Sequence, residues 1–260
     1  WGPVIAPSAR QLLDDLDAAL PPEGRGATLL DLGTGTGVLA VEAARRWPAL
    51  SIIAVDLSPG MLAAAAARAE RELPGSATRF AWHEGTAARL PLPDVSVDVA
   101  VSSFVLQLVP DRPAALREIR RVLQPGGRLG FVTWATDRPD FAPEDAFDEA
   151  IYDAGIEEPE EPPDGRAGPM PSAAAAAAQL RRAGFRAVTA RDATLERQWD
   201  AESYLAFKLA YEEEPLVRAL DPATGQALEV AARRRLAALP SAAFRWVAPI
   251  VYAQGTRPDR

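Results

Sequence analysis

Short apolar runs alternate with amphipathic segments through the first half of the chain. In the amphipathic segments the apolar positions recur every three or four residues, which predicts helices, whereas the short runs predict buried strands. The predicted strands are 27–32, 51–56, 78–83, 97–103 and 128–134, and the predicted helices lie near 36–47, 59–72 and 112–123. Such alternation predicts right-handed crossovers and a mostly parallel sheet covered on both faces.

The pattern continues at both ends of the chain. Helical spacing predicts a helix over 9–20, and Ser172 is placed to cap another that runs through the alanines at 173–178. Because alanine is the best helix former, this low-complexity run indicates a helix rather than disorder. Strands at 186–197 and 244–254 then complete the prediction of a doubly wound, seven-stranded α/β sheet.

A glycine-rich turn joins the first strand to the following helix, in the stretch Leu29-Leu30-Asp31-Leu32-Gly33-Thr34-Gly35-Thr36-Gly37. Glycine tolerates positive φ and allows a ligand to approach the backbone. A helix N-terminus presents free N–H groups and a positive dipole end, so we expect a polar and partly anionic ligand on this turn. Asp56 ends the next strand about 20 residues on, where an acid can bind ribose hydroxyls.

The glycine spacing distinguishes between two classes of nucleoside ligand. A dinucleotide site has the pattern G-x-G-x-x-G, and here Val38 occupies the position of its third glycine. The spacing Gly33-x-Gly35-x-Gly37 resembles instead the first motif of the class I S-adenosylmethionine-dependent methyltransferases, in which the second strand also ends in a ribose-binding acid.

Three further motifs carry the same resemblance, in the family's order. They are Asp56-Leu57-Ser58-Pro59-Gly60-Met61-Leu62, then Gly85-Thr86-Ala87 with Leu90-Pro91, and finally Arg121-Val122-Leu123-Gln124-Pro125-Gly126-Gly127. The resemblance implies a Rossmann-like methyltransferase fold with S-adenosyl-L-methionine as its cofactor. The cofactor-binding positions that it implies are Asp31, Gly33, Thr34, Gly35, Gly37, Asp56, Leu57, Met61, Gly85, Thr86, Ala87, Ser103 and Phe104.

One position departs from the family pattern. Thr86 stands where the family usually has an Asp that accepts a hydrogen bond from the adenine amino group. A hydroxyl accepts the same bond without charge assistance, at roughly half the strength. Cofactor affinity is therefore expected to be modest.

The resemblance also organises the chain into segments. We expect a cofactor-binding core over residues 1–136, followed by a connection or lid over 137–171. The core then continues over 172–199, and a helical cap insert of two helices follows over 200–243. Residues 244–260 form the final core strand and a tail. The lid and the cap insert are the predicted cover of the methyl donor. The predicted lining of the acceptor pocket is Gln107, Trp134, Tyr152, Tyr204 and Phe207, although ordinary packing is an equal explanation for the aromatic members.

Composition excludes several other functions. The net charge is −8 and no basic face is apparent, which argues against nucleic-acid binding. No apolar run approaches roughly 18 residues, so no membrane span is expected. The chain has no Cys and one His, so it offers no metal cluster and no thiolate catalysis. With no visible signal peptide, we expect a cytoplasmic enzyme; its oligomeric state is left open.

The reaction expected from these features is methyl transfer to a small-molecule O, N or C acceptor, as in the ubiquinone and menaquinone biosynthesis branch. No catalytic residue is assigned, and His83 is interpreted as structural. One alternative is a protein that binds S-adenosylmethionine without catalysis. Another is an NAD(P)-dependent short-chain dehydrogenase, because Tyr204 and Lys208 have that family's Tyr-x-x-x-Lys spacing.

Overall fold

The computed structural model describes residues 2–156 and 165–259. The chain divides into two compact units. The core unit comprises Gly2–Thr136, Gly165–Ala193 and Pro249–Arg260, and the second unit comprises Asp137–Asp164 and Thr194–Ala248. In the described residues, no helix combines the length and the apolar character needed to cross a membrane.

The sheet confirms the predicted α/β architecture. Its seven strands have the order β3-β2-β1-β4-β5-β7-β6, with β1 to β5 parallel and β7 antiparallel to β5. The strands are β1 Thr28–Leu32, β2 Ser51–Asp56, β3 Phe80–Glu84, β4 Val97–Ser103, β5 Leu123–Trp134, β6 Arg186–Gln198 and β7 Arg245–Thr256. Because β1 lies between β2 and β4, right-handed crossovers on its two sides run in opposite directions, and the sheet is doubly wound.

Nine α-helices occur in the described ranges. They are α1 Gly2–Leu16, α2 Val38–Arg46, α3 Pro59–Glu72, α4 Arg112–Val122, α5 Ala142–Asp153, α6 Ala173–Arg182, α7 Ala201–Phe207, α8 Glu214–Ala219 and α9 Pro222–Ala237. Serine side chains cap two of these helices: the hydroxyl of Ser58 accepts from the backbone nitrogen of Met61 at 3.3 Å, and that of Ser172, as predicted, accepts from Ala175 at 3.2 Å. Each satisfies a backbone donor that the helix itself leaves free.

Helix α1 and strand β5 show the largest differences from the predicted boundaries. The helix α1 begins at Gly2 and ends at Leu16, not at 9–20, and it contains Pro7 in its interior. Strand β5 begins at Leu123 rather than 128. A Cβ at Gly127 would lie 2.9 Å from the carbonyl oxygen of Asp98, so this early part of β5 passes too close to its neighbour for any residue but glycine.

The segments predicted as lid and cap also differ from expectation. The predicted connection 137–171 contains the helix α5, which packs on α9 within the second unit. The insert 200–243 holds three α-helices rather than two, with one π-helical turn at Lys208–Glu212. The acidic residues Glu157, Glu158, Glu160 and Glu161, expected to form a solvated face, lie outside the described residues.

Candidate cofactor site

The candidate site lies where the strand order reverses, at the carboxyl ends of β1, β2 and β4. In open α/β sheets this crevice is where ligands bind. Asp31 is the second-last residue of β1, Asp56 ends β2, and Ser103 ends β4. The topology therefore brings together three of the sequence-predicted positions that are far apart in the chain.

The three glycines of the turn have different roles. All have positive φ: +70° at Gly33, +52° at Gly35 and +77° at Gly37. A Cβ at Gly33 would lie 2.3 Å from a methyl carbon of Val105, and one at Gly37 would lie 2.9 Å from the Cβ of Ala65. A Cβ at Gly35 would meet nothing within 4 Å. Packing therefore requires the outer two glycines, whereas the middle one faces open space that a ligand can enter.

Most of the turn's backbone donors are used inside the protein. The nitrogens of Gly33 and Thr34 both donate to the carbonyl of Val55, at 2.7 and 3.1 Å. The nitrogen of Gly35 donates to a carboxylate oxygen of Asp56 at 2.8 Å. The expectation that an anionic ligand binds free N–H groups on this turn is therefore wrong for these three groups, because strand β2 has already satisfied them.

Asp31 is a buried acid that lies near the start of α2. Its side chain is 1% exposed, and it accepts hydrogen bonds from the Thr34 hydroxyl at 2.7 Å and from the backbone of Ala40. Burial raises the pKa of Asp31 to about 7, and the negative charge of Asp56 adds to the effect, while the two hydrogen bonds oppose it. Asp31 thus holds the turn from within, and its contact with a cofactor stays a prediction.

Asp56 is fixed in place by two backbone hydrogen bonds, one to each carboxylate oxygen. One oxygen accepts from Gly35 at 2.8 Å and the other from Ser58 at 2.9 Å. An ionised carboxylate has about four acceptor positions, so acceptor capacity remains for hydroxyl donors. The side chain is half-buried. Asp56 therefore has the anchoring and the remaining capacity that ribose binding needs.

Exposed apolar side chains flank this carboxylate. Leu57 is 68% exposed and Met61 is 44% exposed, although both are large hydrophobic residues. On the next strand, the backbone nitrogen of Gly85 donates to the carbonyl of Asp56 at 3.0 Å, and Thr86 is exposed directly after it. Ala87 packs against the core. Apolar surface and a hydroxyl beside a ribose-binding acid fit the face and the edge of an adenine ring.

The end of β4 supplies an unusual backbone and a buried hydroxyl. Phe104 has φ of +56°, a conformation that costs a non-glycine residue of order 1–3 kcal/mol. Its ring packs on Trp134 with centroids 4.1 Å apart. The hydroxyl oxygen of Ser103 is buried and has no hydrogen-bond partner in the described part of the chain. A strained residue beside an unpaired buried hydroxyl is consistent with a ligand site.

Gln107 does not present its amide as a substrate contact. It is buried, its nitrogen donates to the carbonyl of Phe104 at 2.6 Å, and its oxygen accepts from the Thr133 hydroxyl at 2.7 Å. The structure therefore places Gln107 as a brace for the strained Phe104 backbone, because both ends of its amide are engaged. The partner Thr133 was not found from the sequence, since nothing local marks a pair 26 residues apart.

Three of the aromatic residues predicted to line an acceptor pocket lie in the second unit, where they divide into two groups. Tyr204 and Phe207 are buried, and both pack on Trp199, with ring centroids 5.9 and 4.9 Å apart respectively. Tyr152 is 85% exposed and takes no part in that cluster. Burial, and to a lesser extent nearby carboxylates such as Glu144, raise the pKa of Tyr204, so its phenol stays protonated at neutral pH.

The features behind the dehydrogenase alternative have a structural explanation. The Lys208 amine lies 3.1 Å from Glu212 and 3.0 Å from Glu213, and it sits over the ring of Phe147. Two carboxylates thus engage the amine that would have to assist Tyr204. His83 is half-buried in β3, in register with Val55 of β2, as expected of a structural residue.

Comparison with known proteins agrees with this geometry. Residues 30–131 match the model of a family described as a methyltransferase domain. That range contains the glycine turn, Asp56, Thr86 and Phe104. Residues 30–131 are therefore similar to a methyltransferase domain. The resemblance inferred from the four motifs is thereby confirmed.

Relatives of the methyltransferase domain match it over part of their length. The ubiquinone/menaquinone biosynthesis C-methyltransferase UbiE of Dinoroseobacter shibae is 43% identical over 101 residues, which is 39% of this chain and 40% of that protein. The demethylmenaquinone methyltransferase of Chlamydia caviae is 38% identical over 109 residues, or 42% of this chain and 45% of that protein. The chain therefore spans less than half the length of the curated relatives it matches.

A solved structure extends the likeness in fold to nearly the whole chain. The YcgJ protein of Bacillus subtilis superposes with a TM-score of 0.61 at 20% identity, covering 96% of this chain and 99% of that one. At this identity the likeness establishes the fold alone. The Rossmann-like fold expected from the sequence is thus confirmed, whereas the acceptor is not identified by it.

Proposed function

We propose that this chain binds S-adenosyl-L-methionine at the carboxyl ends of β1, β2 and β4 and transfers its methyl group to a small-molecule acceptor. The observation that carries the proposal is the Asp56 carboxylate, held by the backbone of Gly35 beside an open face of the turn. The exposed Leu57 and Met61 next to it supply apolar surface for a base. The match of residues 30–131 to a methyltransferase domain supports the same assignment.

The residues fit the parts of this cofactor in a definite order. Asp56 would hold the ribose hydroxyls, and Leu57, Met61 and the Thr86–Ala87 backbone would surround the adenine. The turn at Gly33–Gly35 and the end of β4 at Ser103 and Phe104 would face the methionine part. Here Ser103 offers the buried hydroxyl that has no partner in the described residues. When bound, the cofactor supplies an electrophilic methyl group on a sulfonium.

The contribution of the chain to the reaction is alignment and exclusion of water. Holding two reactants in line is worth about 7–11 kcal/mol of barrier. Gln107 and Thr133 fix the Phe104 backbone, and Phe104 packs on Trp134, so this wall of the site is rigid. Neither His83 nor Tyr204 is proposed as a base. His83 is interpreted as structural, and the phenol of Tyr204 stays protonated because its pKa is raised.

We propose Trp134 of the core unit and Tyr152, Tyr204 and Phe207 of the second unit as candidate contacts of the acceptor. Support comes from the exposed ring of Tyr152. Quinone-like phenols are the first acceptors to test, since relatives of the domain are named for quinone biosynthesis. A cytoplasmic location and no nucleic-acid partner belong to the same proposal, and the net charge of −8 supports the absence of a nucleic-acid partner.

The test is turnover on a panel of small phenols, quinones and amines, each incubated with S-adenosylmethionine. The expected result is formation of S-adenosylhomocysteine and a methylated product with at least one acceptor, and loss of both in Asp56→Ala. Cofactor binding without turnover on any acceptor would favour the non-catalytic alternative. Activity on tRNA or intact protein, with none on small molecules, would contradict the proposed substrate class.

A further inference from the structure

A second pocket lies in the core unit, between helices α4 and α6, and the cofactor-site residues described above do not line it. Its volume is about 370 Å³, and it is lined by Arg112, Pro113, Leu116, Arg117, Ala167, Gln179, Arg182 and Ala183. Three of these eight residues are arginines, in a chain whose net charge is −8. A concentration of positive charge in an acidic protein calls for a specific physical reason.

Arg112 forms the buried part of this pocket. It is 4% exposed, and its guanidinium donates to the carbonyl of Leu106 at 2.9 Å and to the carbonyl of Gly168. Its remaining contact is the sulfur of Met170 at 3.7 Å. Within the described residues no carboxylate pairs with it, so a full positive charge is buried against neutral groups. Burial without an opposite charge is costly, and it lowers the pKa of Arg112.

The other two arginines lie at the exposed side of the pocket. Arg117 and Arg182 are exposed, and neither forms an ion pair with a carboxylate in the described parts of the chain. By contrast, Arg121, on the same helix α4, is paired with both Asp94 and Glu118. The pocket thus gathers three guanidinium groups whose charge is not compensated by described side chains.

Gln179 adds an unpaired acceptor to the same wall. Its side-chain oxygen is buried and has no hydrogen-bond partner in the described residues, while its nitrogen contacts the Met170 sulfur at 3.5 Å. An occupant is therefore expected to accept hydrogen bonds from guanidinium groups and to donate one to an amide oxygen. A phosphate group in its monohydrogen form, or a phosphate ester with a hydroxyl, can do both, and guanidinium groups bind phosphate in bidentate fashion.

We propose that the α4–α6 pocket binds the phosphate group of a small phosphorylated molecule. Arg112 forms the base of the site, Arg117 and Arg182 close on the anion from the exposed side, and Gln179 selects an anion that carries a donor. Leu116 and Pro113 give the remaining wall an apolar surface for the organic part of the ligand. The site is separate from methyl transfer and does not depend on it.

The test is calorimetric titration of the full chain with inorganic phosphate and with glycerol phosphate, at constant ionic strength and with saturating S-adenosylhomocysteine. Wild type is expected to bind both probes. The double variant Arg117→Gln with Arg182→Gln should lose about tenfold or more in affinity, as expected for hydrogen bonds to charged groups. Arg112 is left intact in this experiment because it links two loops.

A matched control removes two exposed arginines outside the pocket, Arg10→Gln with Arg181→Gln, and should bind phosphate as wild type does. Sulfate carries no proton at neutral pH, so wild type should bind it more weakly than phosphate. The variant Gln179→Met, which lacks the amide oxygen, should bind sulfate and phosphate with equal affinity. The proposal is overturned if wild type binds neither probe at millimolar concentration, or if the control variant loses as much affinity as the pocket variant.

Discussion

The carboxylate of Asp56 accepts a hydrogen bond from the backbone nitrogen of Gly35 at 2.8 Å, across 21 residues of sequence. This contact ties the end of β2 to the turn that follows β1. It also gives the acid a fixed orientation, because its second oxygen is held by Ser58 at 2.9 Å. The proposed ribose site is therefore preorganised by the fold.

Removing this carboxylate should weaken cofactor binding. We expect Asp56→Ala to reduce the affinity for S-adenosylhomocysteine by roughly 1.5–3 kcal/mol, the size of hydrogen bonds to a charged group. The control is Glu84→Ala, since Glu84 is an exposed acid in register with Asp56 on β3. Calorimetry also separates ribose contact from damage to the turn: the 2′-deoxy ligand should lose affinity for wild type but little for the variant. Equal losses in both proteins would contradict a ribose contact.

Thr86 tests how the adenine edge is recognised. If its hydroxyl accepts from the adenine amino group, Thr86→Asp should tighten binding of S-adenosylhomocysteine, because a charged acceptor makes a stronger bond. Thr86→Val, which removes the hydroxyl at similar volume, should weaken it. With the inosine analogue, which lacks the amino group, the gain should vanish. A marked loss of affinity in Thr86→Asp would show that this edge of the site is built differently.

The buried acid Asp31 predicts a pH dependence of stability. Because its pKa is raised from 3.8 to about 7 in the folded state, the folded chain keeps a proton that the unfolded chain has lost. The contribution of Asp31 to the free energy of unfolding is therefore greatest at low pH, and it falls as the pH rises towards 7. Between about pH 6 and pH 8 the loss should be about 1.4 kcal/mol.

Urea denaturation of the ligand-free protein checks this dependence. Asp31→Asn keeps an acceptor for the Thr34 hydroxyl but cannot ionise, so the difference in unfolding free energy between wild type and variant should change by that amount between the two pH values. A difference that does not vary with pH would mean that Asp31 is not the titrating group.

The role of Gly35, the middle glycine of the turn, can be tested against a control glycine of the same backbone conformation. Gly35→Ala should cost about 1–2 kcal/mol of stability, because alanine is strained at positive φ, and the protein should still fold since no atom lies within 4 Å. Its affinity for S-adenosylhomocysteine should fall sharply, because the methyl group would occupy the open face of the turn.

Gly75→Ala is the matched control. Gly75 also has positive φ, +77°, and a Cβ there would meet nothing within 4 Å. It precedes the amino end of β3, however, whereas the candidate site lies at the carboxyl ends of the strands. The two variants should lose similar stability, and Gly75→Ala alone should bind the ligand as wild type does. If both bound it normally, the open face at Gly35 would not be the ligand site.

The elements predicted best from the sequence are those that residues close together in the chain define. Strands β2 and β4 begin and end at the predicted residues because apolar runs and flanking turns define them within a few positions. Helix α5 was missed because the acidic and proline content of its segment obscured the buried Ala146, Phe147 and Ala150 at helical spacing.

Within the site, the glycines and Asp56 were found because their motif is contiguous. Gln107 was predicted as a substrate contact, whereas the structure shows it bracing the Phe104 backbone. The sequence could not show this, because Gln107 contacts Phe104 and Thr133 only in the folded chain. The unpaired hydroxyl of Ser103 likewise has no sequence signal, since it depends on burial among residues from distant elements. Sequence identified the ligand class, and structure was needed to show how the site is braced.

The crevice at Asp56 and Gly35 is proposed to bind S-adenosylmethionine rather than a dinucleotide. The most direct measurement is a calorimetric comparison of S-adenosylhomocysteine and NADH, each titrated into the wild-type chain under the same conditions. We expect one-to-one binding of S-adenosylhomocysteine and no saturable binding of NADH. Preferential binding of NADH would contradict it.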